Sequence, residues 1–157
     1  MERSELPGAV DTCLEWCLLD ARVEEAVALV RDAYWNSPWE DEVIAGAMQG
    51  SGIFVGVEHD GALIATARAT TDRSKMTYIG DVAVRLDWRG RGVGDALIRH
   101  LLAHPWAQTQ WTSLHTRTPT TPFYAPMGFE LWPPQDHPNR PIELRRYSRD
   151  LSGTGRS

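Results

Sequence analysis

The chain is poor in cysteine, in long apolar runs and in positive charge. Its 157 residues include two cysteines, Cys13 and Cys17. Two cannot build a disulfide scaffold and no second pair completes a zinc site, so buried thiols in a reducing, cytoplasmic setting are expected. No apolar run approaches the ~20 residues that a membrane-spanning helix needs. Met1 to Asp11 is polar and lacks the apolar core of a signal peptide. Lys and Arg number 16 against 21 Asp and Glu, a net charge of −5. Nucleic-acid binders normally carry a basic face, so neither nucleic acid in general nor a charged tRNA is an expected partner, whereas a small cationic or neutral molecule is. His100 and His104 lie four apart, but no Glu completes a His-Glu-x-x-His pattern, so no metal is expected.

What remains is ordinary globular material: 42% hydrophobic and 24% charged residues, at a length that suits one core. A single domain over 1–157 is expected, with an ordered core of about 13–147 and flexible ends at 1–12 and 151–157. Leu14 to Leu19 reads as a first strand, with Asp20 as cap of a helix carrying Val23, Val27, Val30 and Tyr34 on one stripe. Ser37-Pro38-Trp39-Glu40 reads as a capping box opening a second helix. Residues 52–70 alternate about Asp60-Gly61, the pattern of an antiparallel hairpin. Tyr78 to Leu86 is a further strand, Val93 to His104 an amphipathic helix stopped by Pro105, and Trp111 to Thr116 another strand. A short helix over Pro122 to Met127 and a strand after Gly128 follow, and Ile142 to Tyr147 reads as a last edge strand. A hairpin before a strand–helix–strand unit makes the class α/β with a mixed sheet. Exposed strand edges make a homodimer reasonable.

The most informative segment is Arg89-Gly90-Arg91-Gly92-Val93-Gly94, between a strand and a helix start. Glycines let the backbone approach a ligand closely, and the first amides of a helix point outward without internal partners. Arg89 and Arg91 add positive charge, so a phosphate or pyrophosphate is the expected guest, with a tight turn bearing solvated arginines as the alternative. A nucleotide P-loop needs a closing Gly-Lys-Ser or Gly-Lys-Thr, which is absent. A dinucleotide fingerprint fails too: the third glycine arrives one residue early, and residues 108–116 hold no Asp or Glu.

This segment resembles the coenzyme A loop of the GNAT N-acetyltransferase superfamily, whose pattern is Arg or Gln, two residues, Gly, one residue, Gly or Ala; Arg89, Gly92 and Gly94 fit. The run from Tyr78 to Trp88 looks like the family's preceding strand, and Phe123-Tyr124 through Gly128-Phe129 like its later Tyr-x-x-x-Gly-Phe segment. The three motifs occur in the family's order. They cover about residues 52–130, and the topology about 14–147.

The resemblance implies a mostly antiparallel mixed sheet flanked by helices, in which a splayed strand pair receives acetyl-CoA. Val82, Ala83 and Val84 would supply main-chain contacts to its pantetheine arm, and the amides of Arg89, Gly90, Arg91, Gly92, Val93 and Gly94 would hold its pyrophosphate. Direct transfer to a primary amine of a small molecule is the implied reaction, with Tyr124 protonating the leaving thiolate. A catalytically inactive acyl-CoA-binding member is the rival reading. Many relatives carry a Glu just before an Asp in the cleft strand; here Gly80 stands in the Glu place and Asp81 follows. A carboxylate interrupting an apolar strand needs a cleft, water or a partner. Asp81 is therefore expected as base or ammonium anchor, or as a structural residue satisfied by Arg68 or a loop amide. Trp35 and Trp39 either line an aromatic or apolar acceptor pocket or staple two helices. His115 is expected as a packed core histidine, with a proton relay as the other reading.

Overall fold

A computed structural model describes residues 3–5, 13–15, 19–134 and 141–148. The described elements are β1 (Arg3–Glu5), β2 (Cys13–Glu15), α1 (Leu19–Val30), α2 (Asp41–Gln49), β3 (Ile53–His59), β4 (Ala62–Thr71), β5 (Met76–Val84), α3 (Val93–Ala103), β6 (Trp111–Thr116), α4 (Thr121–Tyr124), β7 (Glu130–Trp132) and β8 (Ile142–Tyr147). Short 3-10 turns lie at Tyr34–Asn36, Leu86–Trp88 and Ala125–Met127. The strands form one sheet in the order β1-β2-β3-β4-β5-β6-β8-β7. Every neighbouring pair is antiparallel except β5 and β6, which α3 joins by a crossover. The expected class, a mixed and mostly antiparallel sheet flanked by helices, is the observed one.

Alternation along the strands divides the interior in two. Ile53, Val55 and Val57 of β3 join Leu97, Ile98 and Leu101 of α3 in one cluster, while Phe54 joins Ala26 and Val30 of α1 and Ile44 and Met48 of α2 in the other. The small Ala65, Ala67 and Ala69 of β4 let α3 lie close to the sheet. Truncating Leu101, which has no exposed surface, would cost about 2–5 kcal/mol. The β3–β4 hairpin turns at Asp60-Gly61 with φ of 49° and 80°, the left-handed pair of a two-residue turn.

Several boundaries differ from the reading, each for a local reason. Arg3–Glu5 pairs with β2 rather than forming a loose end; Cys17 and the segment 151–157 lie outside the described residues. The helix α1 begins at Leu19 and ends at Val30, so Asp20 lies within its first turn and Tyr34 belongs to the 3-10 turn beyond it. The second helix does not open at Ser37. Arg31 donates to the carbonyls of Asn36 and Trp39, both at 2.6 Å, and pairs with Asp41 at 2.5 Å. Those bonds hold 37–40 outside the helix, which starts at Asp41 with Glu40 as an N-cap that makes no side-chain bond. The strand β5 stops at Val84, and Leu86, 75% exposed, opens a 3-10 turn instead. The last strand, β8, is not an edge: it lies between β6 and β7, and β7 takes the edge.

Two irregularities in β5 shape the site. Its parallel pairing with β6 runs from Met76–Trp111 to Ile79–Leu114 and then ends, although both strands continue. The β6-facing side of residues 80–84 is thereby released. Against β4, Arg68 pairs with Gly80 but Thr66 with Ala83, so β5 carries one extra residue there. Asp81 sits in this bulge with φ of 51°, a left-handed conformation that Asp tolerates better than most residues.

Candidate functional site

The glycine turn joins the open end of β5 to α3. Gly90 and Gly92 have φ of 75° and 82°. A Cβ at Gly90 would meet nothing within 4 Å, so conformation rather than space requires glycine there. Gly92 is the N-cap of α3 and no side chain caps the helix. Its first amides therefore keep their outward donor capacity at the positive end of the helix dipole, the arrangement that receives a phosphate. Two members of the expected cradle are used differently. The Arg89 amide donates to the Leu86 carbonyl at 3.3 Å, and its side-chain Nε to the Val84 carbonyl at 2.9 Å. Arg89 thus ties the turn to β5 through both its amide and its side chain. The Arg91 guanidinium lies over Trp88, 4.7 Å from the ring centroid.

The third glycine serves packing as well. A Cβ at Gly94 would come within 3.3 Å of Phe123 Cζ and 3.5 Å of Val84 Cγ2. Phe123 thereby rests on the first turn of α3 and meets Tyr124 edge to face, ring centroids 4.8 Å apart. Tyr124 also packs against Phe129 at 5.8 Å. This is how the later motif is registered against the glycine turn, with Tyr124 buried and turned into a cavity.

That cavity, about 440 Å³, opens where β5 and β6 part. Tyr78, Gly80, Asp81 and Val82 of β5 line it, as do His115 of β6, Tyr124, and Trp35 and Trp39 beyond α1. Trp35 is 40% exposed and Trp39 53%. Both tryptophans border the cavity, and Trp35 in addition staples the segment after α1 to the sheet through Asp81.

Asp81 is the best-connected side chain here. One oxygen, Oδ1, accepts from Trp35 Nε1 at 2.7 Å and Asn36 Nδ2 at 2.9 Å. The other, Oδ2, pairs with Arg68 Nε at 2.6 Å. Burial pushes its carboxyl up, but the hydrogen bonds from Arg68, Trp35 and Asn36 outweigh burial and hold it below the ordinary carboxylate range. A proton acceptor works best with a pKa near the operating pH, so this environment opposes the role of base and matches the structural alternative, an Asp satisfied by Arg68. Arg68 also explains Gly80: a Cβ there would lie 3.1 Å from its guanidinium Nη2. The space of a side chain at the family's Glu position is occupied by an arginine from the neighbouring strand.

His115 corrects another expectation. It is exposed rather than packed in the core. It lines the cavity with its Nδ1 3.0 Å from the Tyr78 hydroxyl. Tyr78 and Asn36 were not singled out from sequence. Their partners lie 37 and 45 residues away, and only the fold supplies those contacts.

A glycine turn, an opened strand pair and a tyrosine on a short helix are the parts of an acetyltransferase. The chain belongs to the acetyltransferase (GNAT) family, whose model matches residues 12–129. Acyl transfer from acetyl-CoA is the general chemistry of that family. No curated protein matches the chain. Among solved structures, a GNAT-family protein from Xanthomonas campestris pv. campestris is 28% identical with a TM-score of 0.67, over 78% of this chain and 87% of that one. The ribosomal-protein-S18-alanine N-acetyltransferase of Escherichia coli is 17% identical with a TM-score of 0.70, over 87% and 93%. The N-acetylglutamate synthase of Neisseria gonorrhoeae, solved with coenzyme A and N-acetyl-glutamate, is 16% identical with a TM-score of 0.71, over 89% of this chain and 36% of that one. At these last two identities the likeness is one of fold. No helix among the described residues is long and apolar enough to cross a membrane.

Proposed function

We propose that this protein transfers the acetyl group of acetyl-CoA to a primary amine of a small molecule. The observation that carries the reading is the end of β5–β6 pairing at Ile79–Leu114, with the glycine turn at one end of the opened edge and Tyr124 in the cavity at the other. The coenzyme supplies a thioester. Amides from Gly90 to Gly94 would hold its pyrophosphate, and main-chain groups of Val82, Ala83 and Val84 its pantetheine arm, with the Val84 carbonyl already shared with Arg89. Tyr124 donates a proton to the departing sulfur; burial and its ring contacts fix the direction of the hydroxyl. Trp35 and Trp39 offer exposed aromatic faces to the acceptor, which suits an amine on an aromatic or apolar body. Asp81 holds this wall in place. The work is proposed for a cytoplasmic protein, as a monomer or homodimer.

The second reading, an acyl-CoA-binding protein without catalysis, draws on the same Asp81: its carboxylate is saturated by Arg68, Trp35 and Asn36 and a glycine stands at position 80. Thiol release from acetyl-CoA, screened over arylalkylamines, amino acids, polyamines and aminoglycosides, separates the two. Turnover with any of these supports the transferase; coenzyme binding with no turnover favours the binding protein.

A further inference from the structure

The direct-transfer reading leaves one role unfilled. An ammonium must lose a proton before its nitrogen can attack, and Asp81 is poorly suited to take it. The geometry points to His115 as the proton acceptor, held by Tyr78. This rests on the transferase reading above.

The two residues come from the strands that part. Tyr78 lies within the parallel pairing, opposite Ser113, and His115 follows Ser113 by two on the same face of β6, past the last paired position. Their contact, Nδ1 to hydroxyl at 3.0 Å with ring centroids 5.7 Å apart, spans the fork at the cavity wall. In the tautomer whose Nδ1–H donates to the Tyr78 oxygen, Nε2 carries the lone pair, and an imidazole is the side chain best suited to exchange a proton near neutral pH. Among the described residues no carboxylate is bonded to His115. Its cross-strand neighbour on β8, Glu143, accepts from Ser113 at 2.9 Å and is paired with Arg145. Across the cavity stand the Asp81–Arg68 pair and the phenol of Tyr124. Arg117 follows on the chain, exposed.

The proton count closes. His115 takes one proton from the ammonium and, being exposed, returns it to solvent. The nitrogen then bonds to the thioester carbonyl carbon as the C–S bond breaks. Tyr124 gives its proton to the sulfur and recovers one from the acylated nitrogen. The products are an amide, a thiol and one released proton.

The test is the pH dependence of kcat, read by thiol release with whichever amine of the screen turns over fastest, for the wild type, His115→Asn, Tyr78→Phe and Asp81→Asn. The base is active when neutral, so wild-type kcat falls as pH falls. For His115→Asn we expect a loss on the order of 100-fold near pH 7 with unchanged acetyl-CoA affinity by calorimetry. Its kcat should recover only at alkaline pH, where the amine deprotonates unaided. Tyr78→Phe should move the acid limb, imidazole added to His115→Gly should restore turnover, and Asp81→Asn should keep the limb. A wild-type profile in His115→Asn, or loss of the limb in a folded Asp81→Asn protein, overturns the assignment and leaves the transferase standing. No turnover of any amine by a wild type that binds acetyl-CoA overturns both.

Discussion

The two ends of the opened β5 edge are built from different materials. At the C-terminal end it is glycine backbone and helix amides, with two left-handed glycines and a helix start that no side chain caps. In the middle, at the Asp81 bulge, the wall is all side chain, with a carboxylate, a guanidinium, an indole and an amide joined by bonds of 2.6–2.9 Å. The first end suits a ligand part that does not vary, a diphosphate. The second holds its carboxylate in bonds to Arg68, Trp35 and Asn36, with Trp35 and Trp39 exposed beside it, which under the proposed function is the surface that meets the acceptor. A shared coenzyme and a private substrate call for that division.

Breaking the clamp should have the largest effect. Removing one partner of a buried ion pair costs about 3–5 kcal/mol, so Asp81→Ala should lower the melting temperature by roughly 6–20 °C for a chain of this size. Calorimetric or fluorescence melting checks this, and an unchanged midpoint would mean that the Arg68 pair contributes nothing. Tyr124→Phe removes one hydroxyl from the cavity; kcat should fall on the order of 100-fold while acetyl-CoA affinity stays as in the wild type. Trp39→Ala touches only the exposed aromatic wall, so KM for an arylalkylamine should rise about tenfold, worth about 1.4 kcal/mol, with little change in stability. The smallest effect is that of acid. Because the folded Asp81 carboxyl is held below its ordinary value, its contribution is complete above the unfolded pKa of about 3.9 and is lost as pH falls through the lower folded value. Wild-type stability should therefore drop more steeply below pH 4 than that of Asp81→Asn, as acid titration followed by circular dichroism would show.

Legibility in the sequence follows the same division. The glycine turn could be read because local backbone demands leave local signatures, and the β3–β4 hairpin because alternation and Asp60-Gly61 agree. The Asp81–Arg68 pair is one of several partners the sequence allows, since a carboxylate in an apolar strand needs a partner. Its other bonds, from Trp35 and Asn36, come from residues more than 40 positions away, and nothing in their spacing announces them. Nor does sequence mark a bulge that places a non-glycine at φ of 51°. The Tyr78–His115 contact depends on where parallel pairing stops, a property of the whole sheet. The second helix starts later than Ser37 for a similar reason: Arg31, just past the preceding helix, binds the carbonyls of Asn36 and Trp39.

The central claim is that the amides from Gly90 to Gly94 hold the diphosphate of acetyl-CoA. Isothermal titration of the folded protein with acetyl-CoA tests it, beside Gly92→Val, whose side chain is strained at φ of 82°. We expect saturable one-to-one association in the wild type and at least tenfold weaker association in the variant, with native circular dichroism in both. Equal affinity in the two proteins, or no association with the folded wild type, would contradict the account.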